Sequence, residues 1–307
     1  MKHVVAIDLG GTKTAVAVMS GSGEIRARRV EPTDLEGPEA WLDQVRGLVA
    51  SLLPGQRPDG IGVSVPAIAH DATGMVEWAP NLPGWVDVPL GRWLGNAYAC
   101  PVALGNDGHF AALGEGWRGA GQGVHNFICV VLGTGVGSGL VLDGKLYAGA
   151  CDVAGALGWS VFREDGPNLE QAVAGPGLEK RALAGAQSGV PTRLSALLQD
   201  GREEHPTQLL FDAALSGDRV ALSIVEDAVD RLGRVLANVV SLLNLSKILL
   251  GGSVGLALVP WIPTLQRLVT AHAQPVSARA VEVEPAQLGH DAQLFGAARA
   301  VLDKIEG

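Results

Sequence analysis

Two glycine-rich turns carry the residues whose types and spacing are best suited to chemistry. The first is Asp8-Leu9-Gly10-Gly11-Thr12-Lys13, and the second is Leu132-Gly133-Thr134-Gly135-Val136-Gly137-Ser138-Gly139. Apolar, β-prone residues flank each turn on both sides, which predicts strand–turn–strand in both places. A turn without Cβ atoms can bring its backbone N–H groups against an anionic ligand. The matched pair therefore predicts two groups of contacts to a polyphosphate.

Glycine turns between strands also have simpler explanations. A Gly-Gly pair between two strands is often only a hairpin turn. No helix is predicted directly after the second turn, which excludes the dinucleotide-binding fingerprint, and neither turn has the spacing of a P-loop. In favour of phosphate binding, each turn contains a threonine. In addition, Asp8 ends the first strand, where its carboxylate is suited to hold Mg²⁺ through water.

The composition is typical of a globular α/β protein. The chain has 307 residues, 47% of them hydrophobic and 18% charged, which is enough for two domains. The net charge of −9 disfavours a nucleic-acid partner, because phosphate backbones require clustered Lys and Arg. No apolar run is long enough for a membrane span, and no signal peptide fits before the first strand. We therefore expect a cytoplasmic protein with no membrane partner.

The cysteines do not indicate a disulfide framework or a metal centre. Cys100, Cys129 and Cys151 are scattered along the chain. Cys129 and Cys151 have apolar neighbours in sequence, which predicts buried packing positions for both.

Two long segments have a similar predicted layout. Val4–Val30 and Asn126–Ala148 each read as strand, glycine turn, strand, tight turn, strand. This similarity indicates either an internal duplication or the coincidence of two common β-meanders.

Two further segments are distinctive. Asp71–Pro89 is rich in Pro, Gly and Trp, which predicts a loop in which Trp78 and Trp85 line a cleft. Asp218–Leu243 has helical periodicity and is the longest predicted helix.

Several segments together carry a family resemblance: Asp8–Lys13, Ala79-Pro80-Asn81-Leu82, Asn106-Asp107, Leu132–Gly139 and Leu250-Gly251-Gly252. In these segments, which run in order along almost the whole chain, the sequence resembles the ROK family of sugar kinases and repressors, members of the actin/hexokinase-like ATPases. The resemblance implies an α/β protein with the two-domain actin-like ATPase (ribonuclease H-like) fold, in which mixed sheets are flanked by helices.

The resemblance also implies a division into domains. A small domain would comprise residues 1–118, completed by the C-terminal helix 291–307, and a large domain would comprise residues 119–290. The active site would lie in the cleft between these two domains.

The resemblance implies that ATP and Mg²⁺ are the cofactors. Asp8 would lie near Mg²⁺ and contact it through water. The ATP phosphates would be contacted from one domain by Gly10, Gly11, Thr12 and Lys13, and from the other by Gly133, Thr134 and Gly135. Gly251 and Gly252 would let adenosine lie close to the backbone, as only glycine permits.

On the acceptor side, the resemblance makes Asp107 the general base that accepts the proton of the attacking sugar hydroxyl. The alternative for Asp107 is a cap on the helix that begins near Gly108. Asn81 and Asn106 would hydrogen-bond sugar hydroxyls, or would only satisfy turns. Glu170 matches a second sugar-contacting glutamate, or is a first-turn residue favoured by the helix dipole.

The sequence departs from the family pattern after the second hairpin. Where the family usually has Glu-x-Gly-His, this chain has Ala156-Leu157-Gly158-Trp159, so a hydrogen-bond acceptor for the sugar is lost. Neither Cys nor His occurs between Trp159 and Leu169, so we expect no structural zinc. Trp159 would either stack on a sugar or cyclitol ring or fill the space that zinc leaves.

These residues predict an ATP- and Mg²⁺-dependent, glucokinase-like kinase that phosphorylates a primary hydroxyl of a hexose. The alternatives are a kinase for an amino sugar or a sugar-like cyclitol, and a degenerate, non-catalytic sugar-binding sensor. A repressor is disfavoured, because no DNA-binding segment fits before the first turn. A homodimer is a further expectation from the family.

Overall fold

The computed structural model describes residues 2–162, 166–198 and 206–307. Within these ranges the chain forms two compact units. Unit 1 comprises the amino-terminal segment up to His125, together with Ser138–Gly155 and Gln287–Gly307. Unit 2 comprises Asn126–Gly137 and the described part of Ala156–Ala286.

Short strands and helices alternate through both units. The strands are β1 (His3–Leu9), β2 (Lys13–Ser20), β3 (Ile25–Pro32), β4 (Gly60–Val65), β5 (Ile68–His70), β6 (Met75–Trp78), β7 (Val86–Val88), β8 (Val102–Asn106), β9 (Phe127–Leu132), β10 (Val136–Leu142), β11 (Lys145–Tyr147), β12 (Lys247–Gly251) and β13 (Glu282–Pro285). The α-helices are α1 (Pro38–Leu52), α2 (Leu90–Tyr98), α3 (Asp107–Arg118), α4 (Leu169–Val173), α5 (Gly175–Ala186), α6 (Pro206–Leu215), α7 (Arg219–Leu243), α8 (Gly252–Ala257), α9 (Ile262–His272), α10 (Pro275–Ala280) and α11 (Ala292–Glu306).

The main sheet of unit 1 has the strand order β3-β2-β1-β4-β8. β1 pairs antiparallel with β2 and parallel with β4, and β4 pairs parallel with β8. Side chains alternate between the two faces of β1, so Val5 and Ile7 pack in the core that includes α1, while Val4 and Ala6 pack in the core that includes α11. Both faces of this sheet are therefore covered by helices.

Two glycines bring secondary-structure elements of unit 1 into close contact. A Cβ on Gly62 would overlap the carbonyl oxygen of Ala297 in α11. A Cβ on Gly108 would lie 2.6 Å from the backbone N and O atoms of Ser138 in β10. The second contact helps explain why Ser138–Gly155 groups with unit 1, whereas the predicted division places this segment in the large domain.

A small antiparallel sheet, β5-β6-β7, occupies much of the segment predicted to be a loop. β6 and β7 are too short, at four and three residues, for their periodicity to be seen in the sequence. The prediction that Trp85 lines a cleft was wrong. Trp85 is buried, and its ring packs edge-on against Trp41 with the ring centroids 5.3 Å apart. Trp78, by contrast, is half-exposed.

In unit 2, β12 pairs parallel with both β9 and β13. The long helix was predicted almost to the residue: α7 spans Arg219–Leu243, and Asp218 is its N-cap. The Asp218 side chain accepts hydrogen bonds from the N–H groups of Val220 and Ala221, and Asn244 ends the helix with a left-handed φ of 52°. No helix of the described ranges is long and apolar enough to cross a membrane.

Candidate active site

The first glycine turn connects β1 to β2. The N–H of Gly10 donates to the carbonyl of Lys13 at 2.9 Å, and a Cβ on Gly10 would lie only 2.8 Å from that oxygen. Thr33 supports the turn, because its N–H donates to the carbonyl of Thr12 at 3.0 Å and its hydroxyl donates to the carbonyl of Gly10 at 2.7 Å. A Cβ on Gly11 would meet no atom within 4 Å, and Thr12 and Lys13 are exposed. The tip of the turn is thus held in shape and open to a ligand.

Asp8 lies at the carboxyl end of β1, just before this turn. Burial, followed by the negative charge of Asp107, raises the pKa of Asp8 to about 7. The Ser64 hydroxyl and the positive charge of Arg28 act in the opposite direction. The structure thus brings two of the predicted functional carboxylates of unit 1 into electrostatic contact. Such a pair favours a nearby cation, which would relieve the repulsion.

Asp107 is the first residue of α3, and the side chain that caps this helix belongs to Asn106. The Asn106 Oδ1 atom accepts from the N–H of His109 at 2.7 Å, while the Asp107 Oδ1 atom accepts from the N–H of Gly108 at 2.7 Å. The alternative in which Asp107 caps the helix was wrong by one position. Asn is as good a cap as Asp, so the sequence did not distinguish between them. Asp107 is held at the helix N-terminus, where a carboxylate is favoured.

The second glycine turn follows β9 in unit 2. The N–H of Gly133 donates to the carbonyl of Gly135 at 3.0 Å. The carbonyl of Gly133 accepts from the N–H of Gly175, the first residue of α5, at 2.8 Å. Thr134, between the two glycines, is exposed. The backbone of this turn is therefore hydrogen-bonded to the start of α5, whereas the backbone of the first turn is hydrogen-bonded to Thr33.

Glu170 also contacts the second turn. Its Oε2 atom accepts from the N–H of Val136 at 2.9 Å, and a Cβ on Gly135 would lie 2.8 Å from the same oxygen. Glu170 lies in the first turn of α4, which Asn168 and Gln171 cap reciprocally. The carboxylate thus supports the turn as well as lying in a position favoured by the helix dipole.

Gly251 and Gly252 lie where β12 meets α8. Gly252 has a left-handed φ of 78°, and a Cβ there would overlap the carbonyl oxygen of Leu132, the last residue of β9. A Cβ on Gly133 would lie 3.8 Å from the Ser253 hydroxyl oxygen. Unit 2 therefore brings the predicted adenosine-binding glycines next to the predicted phosphate-binding turn. The packing against Leu132 would require glycine at position 252 even without a ligand.

The predicted acceptor residues lie in different settings. Asn81 is exposed in the turn between β6 and β7, which is closed by a hydrogen bond from the N–H of Ala79 to the carbonyl of Trp85 at 3.1 Å. Asn106 is partly buried, and its side-chain Nδ2 atom donates to the carbonyl of Asp152 at 3.4 Å. Asn106 therefore has structural partners on both ends of its amide.

Ala156 precedes, and Trp159 ends, a short 3₁₀ helix, Leu157–Trp159, in unit 2. Ala156 is exposed, and the Trp159 side chain is 78% exposed. Trp159 therefore does not fill a buried space within the described residues, and its indole face is accessible for stacking. Residues 163–165, part of the stretch for which no zinc ligands were expected, lie outside the described residues.

Cys151 is exposed, so the prediction of a buried packing position was wrong, whereas Cys129 is buried in β9 as predicted. Cys151 lies in Gly149–Gly155, which turns sharply and exposes its side chain. Next to it, Asp152 interacts with His70, and this pair was missed in the sequence. The two residues are 82 positions apart, and neither belongs to a recognisable motif.

Comparisons with known proteins identify the family of this chain. The model of the ROK family matches residues 4–304. The glucokinase of Thermotoga maritima is 30% identical, in an alignment that covers 99% of this chain and 98% of that protein.

Two solved structures are also similar. A ROK family glucokinase from Streptomyces griseus, in complex with glucose and AMPPNP, is 30% identical with a TM-score of 0.80, covering 96% of this chain and 98% of that one. The ROK hexokinase from Thermus thermophilus is 29% identical with a TM-score of 0.81, covering 99% and 100% of the two chains. These similarities confirm the predicted actin-like ATPase fold, with mixed sheets flanked by helices.

Proposed function

Because this chain belongs to the ROK family, we propose that it is an ATP-dependent sugar kinase that phosphorylates a primary hydroxyl of a hexose. Glucose is the first acceptor to test, because it is the substrate that the name of the Thermotoga maritima relative implies and the sugar in the Streptomyces griseus complex. Within the chain itself, the observation that carries the proposal is the pair of interacting carboxylates, Asp8 and Asp107, at the carboxyl ends of β1 and β8, two strands on either side of β4 in the same sheet.

ATP would be bound through its phosphates by the two glycine turns. In unit 1, the open tip at Gly11 and Thr12 and the exposed ammonium of Lys13 suit an anionic ligand. In unit 2, Gly133 to Gly135 would contact the phosphates, and Gly251 and Gly252 would lie along the adenosine. The neighbouring positions of these two glycine segments within unit 2 support this assignment.

The residues present fit a Mg²⁺ ion brought in with the nucleotide. Asp8 offers hard oxygen atoms, and the negative charge of Asp107 favours a cation near Asp8. In the described ranges, no group of three or more His, Cys, Asp or Glu side chains could hold a metal ion alone. Water and phosphate oxygens would therefore complete the coordination, as Mg²⁺ prefers. When bound, the ion would neutralise charge on the phosphates, and Asp8 would orient it through water.

Asp107 would act as the general base. Its Oδ1 atom is fixed by the N–H of Gly108, which holds the carboxylate at the start of α3. As the sugar hydroxyl oxygen forms a bond to the γ-phosphorus, the bond from that phosphorus to the bridging oxygen of ADP breaks. The hydroxyl proton passes to Asp107. Positioning and charge neutralisation would supply most of the acceleration.

The acceptor would be contacted by Asn81, Asn106, Asp107 and Glu170, with Trp159 stacking on its ring. Ala156 offers no hydrogen bond to a hydroxyl, and the exposed Trp159 offers an apolar face instead. These two positions favour an amino sugar or a sugar-like cyclitol as the second class of acceptor. An ADP-release assay across hexoses, amino sugars and cyclitols would identify the acceptor. Sustained release with any of them would exclude the non-catalytic sensor.

The mechanism is tested by Asp107→Asn, which keeps the shape of the side chain and removes the base. We expect turnover to fall by about two to four orders of magnitude, while ATP affinity measured by calorimetry stays unchanged. The matched control is Asp230→Asn, the same chemical change on the exposed side of α7, with turnover as in the unaltered chain. Full turnover by Asp107→Asn would refute the assignment of the base.

A further inference from the structure

The segment Gly149–Gly155 of unit 1 has an unusual backbone. Gly149, Asp152 and Gly155 have φ values of 77°, 54° and 86°, all in the left-handed region. Glycine adopts this region readily, whereas a residue with a side chain does so at a cost. Asp152 therefore needs contacts that hold it in place, and its neighbours supply them.

The first contact is with His70, the last residue of β5. The His70 Nδ1 atom lies 2.9 Å from the Asp152 Oδ2 atom, and the His70 Nε2 atom lies 2.8 Å from the Glu77 Oε2 atom on β6. Carboxylates only accept hydrogen bonds, so both ring nitrogens donate when the imidazole is protonated. Glu77 first, and then Asp152, raise the pKa of His70 above its ordinary value. When it is charged, the imidazole therefore links the segment to the small sheet through both ring nitrogens.

The second group of contacts connects this segment to α3. The carbonyl of Asp152 accepts from the side-chain amide of Asn106 at 3.4 Å. The carbonyl of Ala154 lies 2.7 Å from the His109 Nε2 atom, and desolvation lowers the pKa of His109, which favours its neutral form. Asn106 and His109 lie on either side of Asp107 and Gly108 in sequence. The segment Gly149–Gly155 therefore stabilises the N-terminal end of α3, which carries the proposed base Asp107.

We propose that His70 is a positioning residue for the acceptor site, which acts through Asp152 to keep Asn106 and the start of α3 in place. This inference rests on the proposed function, because it takes Asn106 and Asp107 as residues that contact the acceptor. His70 itself touches neither the acceptor nor ATP in this scheme. Loss of its charge removes one of the two N–H donors, so Asp152 and Glu77 compete for the other, and the Asn106 amide then has a less firmly held partner.

The link is expected to depend on pH. The charged form of His70 is present below its raised pKa and is lost as the pH rises through that value. The acceptor KM should therefore increase as the pH rises through the pKa of His70, while the ATP KM should not change over the same range. Among the described residues, Asp71, which follows His70 in sequence, pairs with Lys304 at 2.7 Å.

The test compares His70→Gln with the unaltered chain in a kinase assay from pH 6 to pH 9. In His70→Gln we expect the acceptor KM to rise by about tenfold at pH 6, the fold-change expected for one lost charge-assisted hydrogen bond. The rise of the acceptor KM with pH should disappear, because the side chain no longer titrates. The ATP KM should stay unchanged, and Arg234→Gln on α7 serves as a control that should leave all parameters unchanged.

Two variants at position 152 separate positioning from general destabilisation. Both Asp152→Gly and Asp152→Ala remove the carboxylate, but only glycine adopts a left-handed φ without cost. Asp152→Gly should therefore raise the acceptor KM less than Asp152→Ala. Glu77→Gln should lower the pKa of His70, followed by NMR of the imidazole protons, and move the acceptor KM profile to lower pH.

The inference is overturned if His70→Gln keeps the acceptor KM and its pH profile, or if it lowers kcat and raises both KM values alike. If the unaltered chain shows turnover and either of these results is obtained, only the proposed role of His70 is refuted. Absence of turnover by the unaltered chain with every acceptor would remove this inference together with the proposed function.

Discussion

The two glycine turns look alike in sequence, yet each has a carboxylate that is used in a different way. Asp8, before the first turn, is partly buried, and its pKa is raised to about 7 by burial and by Asp107. Glu170, beside the second turn, is exposed and accepts a hydrogen bond from the N–H of Val136. One carboxylate is thus suited to a cation, while the other supports the backbone. Two loops with similar sequences can therefore have carboxylates with different roles, one in cation binding and one in support of the backbone.

Among the variants of the two turns, the largest expected effect comes from Asp8→Asn, which removes the carboxylate of the first turn. We expect turnover to fall by about a hundredfold or more, because an amide is a poor partner for Mg²⁺ and its water. The folded state holds the Asp8 proton more tightly than the unfolded state, whose carboxyl has its ordinary pKa. Stability should therefore decrease as the pH rises from 3.8 to about 7.

Urea unfolding in metal-free buffer across this pH range measures that linkage. The stability of Asp8→Asn should not show the decrease that is due to the Asp8 carboxyl. At pH 8 this variant should therefore be more stable relative to the unaltered chain than it is at low pH. An identical pH dependence in both proteins would contradict the burial and repulsion ascribed to Asp8.

The next effect concerns Glu170 and its two possible roles. Glu170→Ala leaves the N–H of Val136 without its carboxylate, so we expect the ATP KM to rise by about tenfold. Glu170→Gln retains an oxygen that accepts this hydrogen bond, and it should keep the ATP KM close to that of the unaltered chain. Kinetics with ATP and acceptor varied separately provide the measurement. A change only in the acceptor KM, in both variants, would instead favour sugar contact as the role of Glu170.

Neighbouring glycines of the first turn should respond differently to the same substitution. Gly10→Ala forces a Cβ against the carbonyl of Lys13, and we expect it to lower the free energy of unfolding by about 2 kcal/mol. Gly11→Ala points into open space, so its effect on stability should stay within about 0.5 kcal/mol. Thermal unfolding and the ATP KM distinguish the two variants. Gly11→Ala should raise the ATP KM by about tenfold, because the methyl group would obstruct a bound phosphate. Equal losses of stability in the two variants would contradict the difference in space available for a Cβ at Gly10 and Gly11.

Local patterns predicted much of the frame around these turns. The β1–β2 hairpin was expected from the apolar runs on either side of its glycines, and α7 was expected from its periodicity. The family resemblance extended this frame to the whole fold, which the similar solved structures confirm.

Features that depend on distant contacts were missed. β6 and β7 are too short to show a period, so Trp85 was assigned to a cleft when it packs on Trp41. The helix cap at Asn106 was placed one residue late, because Asn and Asp are equally good caps. The contact between His70 and Asp152 depends on how the small sheet packs, and sequence spacing carries no signal for it.

The most direct measurement is ³¹P NMR of the purified chain incubated with ATP, Mg²⁺ and each acceptor in turn, beginning with glucose. We predict that the γ-phosphate signal decreases while a sugar phosphate monoester and ADP increase in equal amounts. Release of inorganic phosphate alone, or unchanged ATP with every hexose, amino sugar and cyclitol, would contradict phosphoryl transfer to a sugar hydroxyl.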